Sequence, residues 1–266
     1  MQWKELTASQ FAAAVRDIGV CVVPMGVFER HGDHLPLGTD VMIADRVARL
    51  AAEREPAVVF PPFYFGQIYE ARCFPGTVTI SPRLLLELLQ GVLDEIGRNG
   101  FNKIVLYSAH GGNSHFLPFV AQCALWEEKD YSLYIPGRRM SEEAQEAWQG
   151  MRDTDYGGHA GELETSLLLA IESELARMDQ ISEETGKPRG RLEHLPPTYT
   201  GIWWYGDYPE HYAGDATAAS EEKGRFLLDG MTEFLADYIA AVKADEVVPN
   251  LMDEFYGRVD RLDEGF

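Results

Sequence analysis

An α/β fold, with a mostly parallel sheet between two helical layers, follows from three observations in this 266-residue sequence. Short apolar runs alternate with segments of helical periodicity along the chain, the pattern that sets strands beside crossover helices. The run Val20-Cys21-Val22-Val23-Pro24-Met25 is apolar throughout and reads as a buried strand. His and acidic residues gather just after two of the runs, where sheets of this kind hold their ligands.

The elements follow in order. Thr7 or Ser9 caps a first helix through Val15. The strand at 20–25 comes next, then an acidic and histidine-rich turn over 29–40. A helix from about Asp40 carries Ile43, Val47, Leu50 and Ala51 at helical spacing, with Asp40 in the position of a cap. Residues 57–60 form a second strand, stopped by Pro61-Pro62. An aromatic, loop-rich segment spans 63–80. Ser81 and Pro82 open a helix whose buried stripe is Leu85, Leu88, Leu89, Val92 and Ile96, and Asn99-Gly100 ends it. The strand at 103–108 runs into Ala109-His110-Gly111-Gly112-Asn113 and a helix over about 114–127. A strand is expected at 131–135 and a short helix from Ser141, with a partial capping box. A helix then runs from Gly157-Gly158-His159-Ala160-Gly161 through Glu164 to Ala176. Residues 178–200 read as a long surface loop, and 203–208 as an aromatic cluster in a loop. Gly214-Asp215 opens the last long helix, which reaches about Ala244. The whole chain is expected to be one domain over 1–266, with a core of about 18–240 and a peripheral acidic tail over about 245–266.

Composition narrows the function. Hydrophobic residues make up 45% and charged residues 25%, as in ordinary globular proteins. Lys+Arg number 23 against 43 Asp+Glu, a formal net charge of −20, which argues against nucleic acid and anionic membranes as partners and leaves small molecules open. Three widely spaced cysteines form no framework and suit a reducing cytoplasm. The N-terminus lacks a signal-peptide pattern and no stretch approaches eighteen continuous apolar residues, so a cytoplasmic location is expected.

Three stretches carry chemistry. Glu29, His31 and Asp40 lie within twelve residues, with His34 a spare. Mixed oxygen and nitrogen donors suit zinc or manganese better than magnesium. His110 stands at a second strand end, before two glycines that let the backbone approach a ligand closely. His159 precedes a helix that begins with Glu162 and Glu164. Glu164 shares a stripe with Leu167, Leu168 and Ile171, whereas Glu162 lies ~200° round the helix with Ser166 and Ser173. Glu164 is therefore the expected fifth ligand. Glu162 is the alternative ligand and is also assigned to catalysis. His159 is placed outside the ligand set as a proton-transfer group. Two His and three carboxylates exceed the needs of one catalytic zinc. They suit two ions, about 3.5–4 Å apart, that share Asp40 as a bridge, hold a bridging hydroxide as nucleophile and polarise a carbonyl.

The motifs Glu29-Arg30-His31-Gly32-Asp33-His34-Leu35-Pro36-Leu37-Gly38-Thr39-Asp40, Phe74-Pro75-Gly76-Thr77, His110-Gly111-Gly112-Asn113, His159-Ala160-Gly161-Glu162-Leu163-Glu164-Thr165-Ser166 and Gly214-Asp215-Ala216-Thr217-Ala218 together resemble the creatininase (creatinine amidohydrolase) family over about residues 18–240. The resemblance implies a three-layer α/β/α sandwich, two zinc and/or manganese ions per chain (iron also being compatible), and a homohexamer. It maps metal ligands onto Glu29, His31, Asp40 and His110. In creatininase a metal-binding Glu follows two residues after the His of the second motif; Gly112 stands there in this chain, so the fifth ligand again falls to Glu164. The implied activity is two-metal hydrolysis of a small cyclic amide or related carbonyl compound. The alternative is ring-opening hydrolysis or isomerisation of a keto-cyclitol or sugar-like substrate on the same fold. Trp203, Trp204, Tyr205, Trp148 and Tyr69 are open to two roles, walling the pocket or packing at a subunit interface.

Overall fold

The first apolar run becomes strand β1 (Val20–Met25), and all six of its residues are buried. Strands β2 (Val58–Val59) and β3 (Lys103–Ser108) pair on either side of it, and β4 (Ser132–Tyr134) lies beyond β3, all parallel in the order β2-β1-β3-β4. Val22 stands opposite Val59 on one side and Val105 on the other, which makes β1 central. The computed structural model describes residues 1–183 and 186–261.

Alternation along the strands divides the core in two. Val20, Val22, Val59, Val105 and Tyr107 face helices α2 (Thr39–Arg54) and α8 (Glu221–Ala244), with Trp148 of α5 (Glu142–Met151) and Leu167 of α6 (Glu162–Glu172) closing that side. Cys21, Val23, Met25, Ile104 and Leu106 face α1 (Ala8–Ile18), α3 (Pro82–Arg98) and α4 (Asn113–Ala124). The result is the three-layer α/β/α sandwich expected. Thr7 caps α1 in a full capping box with Gln10, and Ser141 caps α5 through the Ala144 amide.

Several boundaries differ from expectation. Strands β2 and β4 are shorter than 57–60 and 131–135. The prolines at 61 and 62 carry no amide hydrogen for a ladder, and the open side of β2 is taken by the N-terminus, where Val59 donates to the Met1 carbonyl at 2.8 Å. Helix α6 stops at Glu172 and gives way to a 3₁₀ turn, Ser173–Leu175. The aromatic cluster is one helical turn, α7 (Trp203–Asp207), rather than loop. The last long helix starts at Glu221, capped by Ser220, because the Asp215 carboxylate takes both the amide and hydroxyl of Thr217 and locks 214–219 as a turn. The tail contains helix α9 (Val247–Val259), tied back where the Tyr256 hydroxyl donates to the Glu127 carbonyl at 2.7 Å. Its last five positions, 262–266, and positions 184–185 of the long loop lie outside the described residues. Among the described residues no helix is long and apolar enough to cross a membrane.

One contact positions the site. Gly26 follows β1 so closely under the start of α2 that a Cβ there would lie 2.5 Å from the Val41 nitrogen and 2.6 Å from the Asp40 carbonyl carbon.

Candidate metal centre

Beyond β1 the chain folds back on itself: Glu29 donates its amide to the Leu37 carbonyl at 3.1 Å, and His31 pairs with Leu35. This hairpin-like turn sends Glu29 and His31 inward, and both are fully buried. Asp40 sits in the first turn of α2, whose cap position is Gly38 with no side-chain bond. Its carboxylate is thereby free of the capping role and is also buried. His110 arrives two residues after β3. Gly112 lets the Gln67 backbone close over it; a Cβ at 112 would fall 2.5 Å from both the Gln67 oxygen and His110 Nε2.

Hydrogen bonds decide which imidazole nitrogens face inward. His110 donates from Nε2 to the Gln67 carbonyl at 2.7 Å, which turns Nδ1 toward the carboxylates. That nitrogen lies 2.8 Å from Glu29 Oε1 and 3.0 Å from Asp40 Oδ2. His31 donates from Nδ1 to the Glu29 carbonyl at 3.2 Å and points Nε2 at Asp40 Oδ1, 3.2 Å away, and Glu164 Oε2, 3.8 Å away. An imidazole nitrogen set against carboxylate oxygens needs a proton or a metal cation between them.

The protonation balance says the same. Burial works against protonated His31, yet Asp40, Glu164 and Glu29 push it up to about 10. His110 is held well above its ordinary value by Glu29 and Asp40, also against burial. Burial pushes Glu29 and Asp40 up, but the surrounding imidazoles hold Glu29 well below the usual carboxylate range and Asp40 below its own. Burial keeps Glu164 raised, against the pull of His31. Glu29 Oε1 and Asp40 Oδ2 are buried and accept no hydrogen bond.

Among the described residues three donor groups are compact enough for an ion: Glu29 with Asp40 and His110, His31 with Asp40 and Glu164, and Glu29 with His31 and His159. The first two share Asp40, each offering one imidazole and two carboxylates, a set that fits zinc or manganese. In the third, His159 already donates from Nε2 to the Arg30 carbonyl at 2.7 Å. Burial drives His159 down to about 3, with Glu29 opposing and His31 and His211 assisting.

Glu162 does not join the cluster. Its carboxylate accepts from the amides of Asp153 and Thr154, the Thr154 hydroxyl at 2.6 Å and Lys223 Nζ at 2.5 Å. It is also the more buried of the two acids, because α8 covers the face of α6 that periodicity left to solvent. Glu164 instead accepts from the Ala160 amide at 2.6 Å and faces the imidazoles. His34 donates to Thr165 Oγ1 at 3.0 Å and stays out of the cluster.

His211 went unnoticed in the sequence. It reaches Glu29 Oε2 from the segment after α7, with Nε2 at 2.5 Å. A single His beyond an aromatic cluster, in a segment without periodicity, offered no signal beyond its residue type. A cavity of about 800 Å³ opens above the centre, with Tyr69, Phe116, Tyr199, Trp203 and Trp204 among its walls. Trp148 is buried in the core, and Tyr205 lies under the Arg191 guanidinium.

A parallel α/β/α sandwich with imidazoles and carboxylates converging beyond its strand ends is the architecture of a metal-dependent hydrolase. Residues 4–239 match the Creatininase family model, described as creatinine amidohydrolase, and the chain belongs to the creatininase family. It is 27% identical over 259 residues to the creatinine amidohydrolase of Pseudomonas putida, covering 88% of this chain and 94% of that one. It is 31% identical over 237 residues to the mycofactocin precursor peptide peptidase of Mycolicibacterium smegmatis, covering 86% and 87%. Creatininase solved in a manganese form superposes with a TM-score of 0.76 at 25% identity, over 90% of this chain and 96% of that one. A creatininase variant solved in a zinc–zinc form gives 0.74 at 25% identity, over 90% and 96%.

Proposed function

We propose that this chain is a two-metal amidohydrolase that opens a small cyclic amide or related carbonyl compound, with Glu29, Asp40 and His110 holding one ion and His31, Asp40 and Glu164 the other. The observation that carries the reading is Asp40: each of its oxygens faces a different imidazole, so one carboxylate serves both donor sets. Zinc or manganese held there supplies the polarisation of a carbonyl and the activation of water. His159 manages the proton. Its Nε2–H is fixed on the Arg30 carbonyl and its Nδ1 stays open; buried and neutral at rest, that nitrogen orients the water that adds to the carbonyl carbon and passes the water's proton on to the leaving nitrogen. Trp203, Trp204 and Tyr69 wall the space where a planar group lies. The same reading carries a single domain over the chain, a homohexamer and a cytoplasmic location.

The cavity favours a second reading, in which the cleaved amide belongs to a short peptide. A single small ring fills only a fraction of about 800 Å³. The deciding experiment measures bound zinc, manganese and iron per chain, then hydrolysis of creatinine, hydantoins, formamides, lactones, keto-inositols and tripeptides by the metal-loaded protein. Two ions and turnover of a ring compound support the first reading, turnover of peptides alone supports the second, and less than one ion per chain with no rescue by added metal overturns both.

A further inference from the structure

The Glu29 carboxylate is divided between two neighbours. Oε1 faces Nδ1 of His110 at 2.8 Å, whereas Oε2 lies 2.5 Å from His211 Nε2. The other nitrogen of His211, Nδ1, faces the indole Nε1 of Trp204 at 3.1 Å. An indole N–H only donates, so Nδ1 must be bare and Nε2 must carry the proton given to Glu29. The tautomer of His211 is thus dictated by a tryptophan of the pocket wall.

The chain takes trouble to place this ring. His211 is buried and adopts a φ of 53°, a left-handed conformation uncommon for a residue with a side chain. Ala160, on the facing segment, has a φ of 55°. Between them His159 and Ala213 exchange amide and carbonyl bonds of 3.0 Å in both directions. Arg30 adds a bond of 3.0 Å to the Glu210 carbonyl, so the turn carrying Glu29 and the segment carrying His211 are stitched side by side. The imidazoles of His159 and His211 meet edge to face with centroids 4.5 Å apart, and Trp204 closes on both.

From this we infer that Trp204 and His211 form a positioning relay for Glu29: the indole fixes the His211 tautomer, His211 holds Oε2, and Oε1 is thereby presented to the ion shared with Asp40 and His110. Neither residue is a ligand, and neither is a catalytic residue. The inference rests on the two-metal reading above, and it makes retention of one ion depend on a residue of the pocket wall. Partners of this kind orient metal ligands and their loss weakens affinity by about 10–100-fold.

The test uses the zinc-loaded protein. Long-range ¹H–¹⁵N spectra of histidine-labelled native protein are expected to show His211 as the Nε2–H tautomer. Chelator competition is expected to show one of two ions held about 10–100-fold more weakly in His211→Ala. His211→Gln, whose amide both donates to Glu29 and accepts from Trp204, is expected to restore native affinity. Trp204→Phe keeps the wall and removes the donor; it is expected to weaken the same ion and to let the Nδ1–H form appear. Melting curves followed by circular dichroism identify any variant that has lost its fold, and the native tautomer needs no variant at all. An Nδ1–H tautomer in the native protein, or two ions held with native affinity by a folded His211→Ala, overturns the relay alone. Native protein that takes up no metal overturns the two-metal reading itself.

Discussion

Two carboxylate clusters flank the first turn of α6, and they are balanced in opposite ways. Around Glu162 the chain provides its own cation: Lys223 Nζ reaches Glu162 and Asp153 at 2.5 and 2.6 Å and donates to the Ala218 carbonyl at 2.9 Å. Around Glu164 it provides imidazoles instead. Among the described residues no Lys or Arg lies within ion-pair distance of Glu29, Asp40 or Glu164, and the cationic partners at that distance are histidines. Burying charge without a partner costs several kcal/mol per ion. A chain that ion-pairs one cluster with a lysine and its neighbour with imidazoles has built the first as a strut and the second as a receptacle.

Three changes break or sharpen this contrast. Asp40→Ala removes the shared carboxylate; both ions are expected to be lost, and turnover to fall on the order of 10³-fold, read by metal analysis and steady-state kinetics. The paired variants at α6 then separate its two acids. Glu164→Ala is expected to retain one ion of two with the fold intact. Glu162→Ala is expected to retain both ions and to lose about 3 kcal/mol in urea unfolding, since Lys223 loses its buried partner. A Glu162→Ala protein that loses an ion while keeping its stability would return Glu162 to the site. The last test is in pH. In metal-free protein His31 is raised from 6.5 to about 10, so its contribution to stability is fully present below pH 6.5 and is lost as pH rises through about 10. The urea midpoint of the chelator-treated protein is expected to fall between pH 7 and 10, and that of the metal-loaded protein to hold, because the ions take the place of the protons.

Most of the sandwich was legible because its determinants are local or periodic. The apolar run at 20–25, the Leu85–Ile96 stripe and the caps at Thr7 and Ser141 each announce themselves within a few residues. The candidate ligands that follow strand ends, Glu29, His31 and His110, could be placed on one edge for the same reason. Periodicity also singled out Glu164, but it misjudged Glu162: a helix face reads as exposed only if no other element covers it, and α8 covers this one from more than fifty residues away. His211 was illegible because what defines it lies 182 residues off at Glu29. Helix α9 was hidden by an acidic composition, which says that a segment is solvated and nothing about whether it is helical.

Gly26 sets the depth at which Asp40 is seated. Its missing side chain is what allows the end of β1 to pass beneath the first turn of α2. The pairing of β1 with β3 depends on residues 20–25 and 103–108, not on this contact, so a methyl group at 26 would tilt or lift α2 against an unmoved strand. The displaced group that matters is the Asp40 carboxylate, which faces His31 with one oxygen and His110 with the other. Tolerance for error at the centre is therefore stored in one hydrogen atom outside it. In this chain the residue following the first strand is thus a gauge of whether the Asp40 carboxylate is seated, readable even where every candidate ligand is in place.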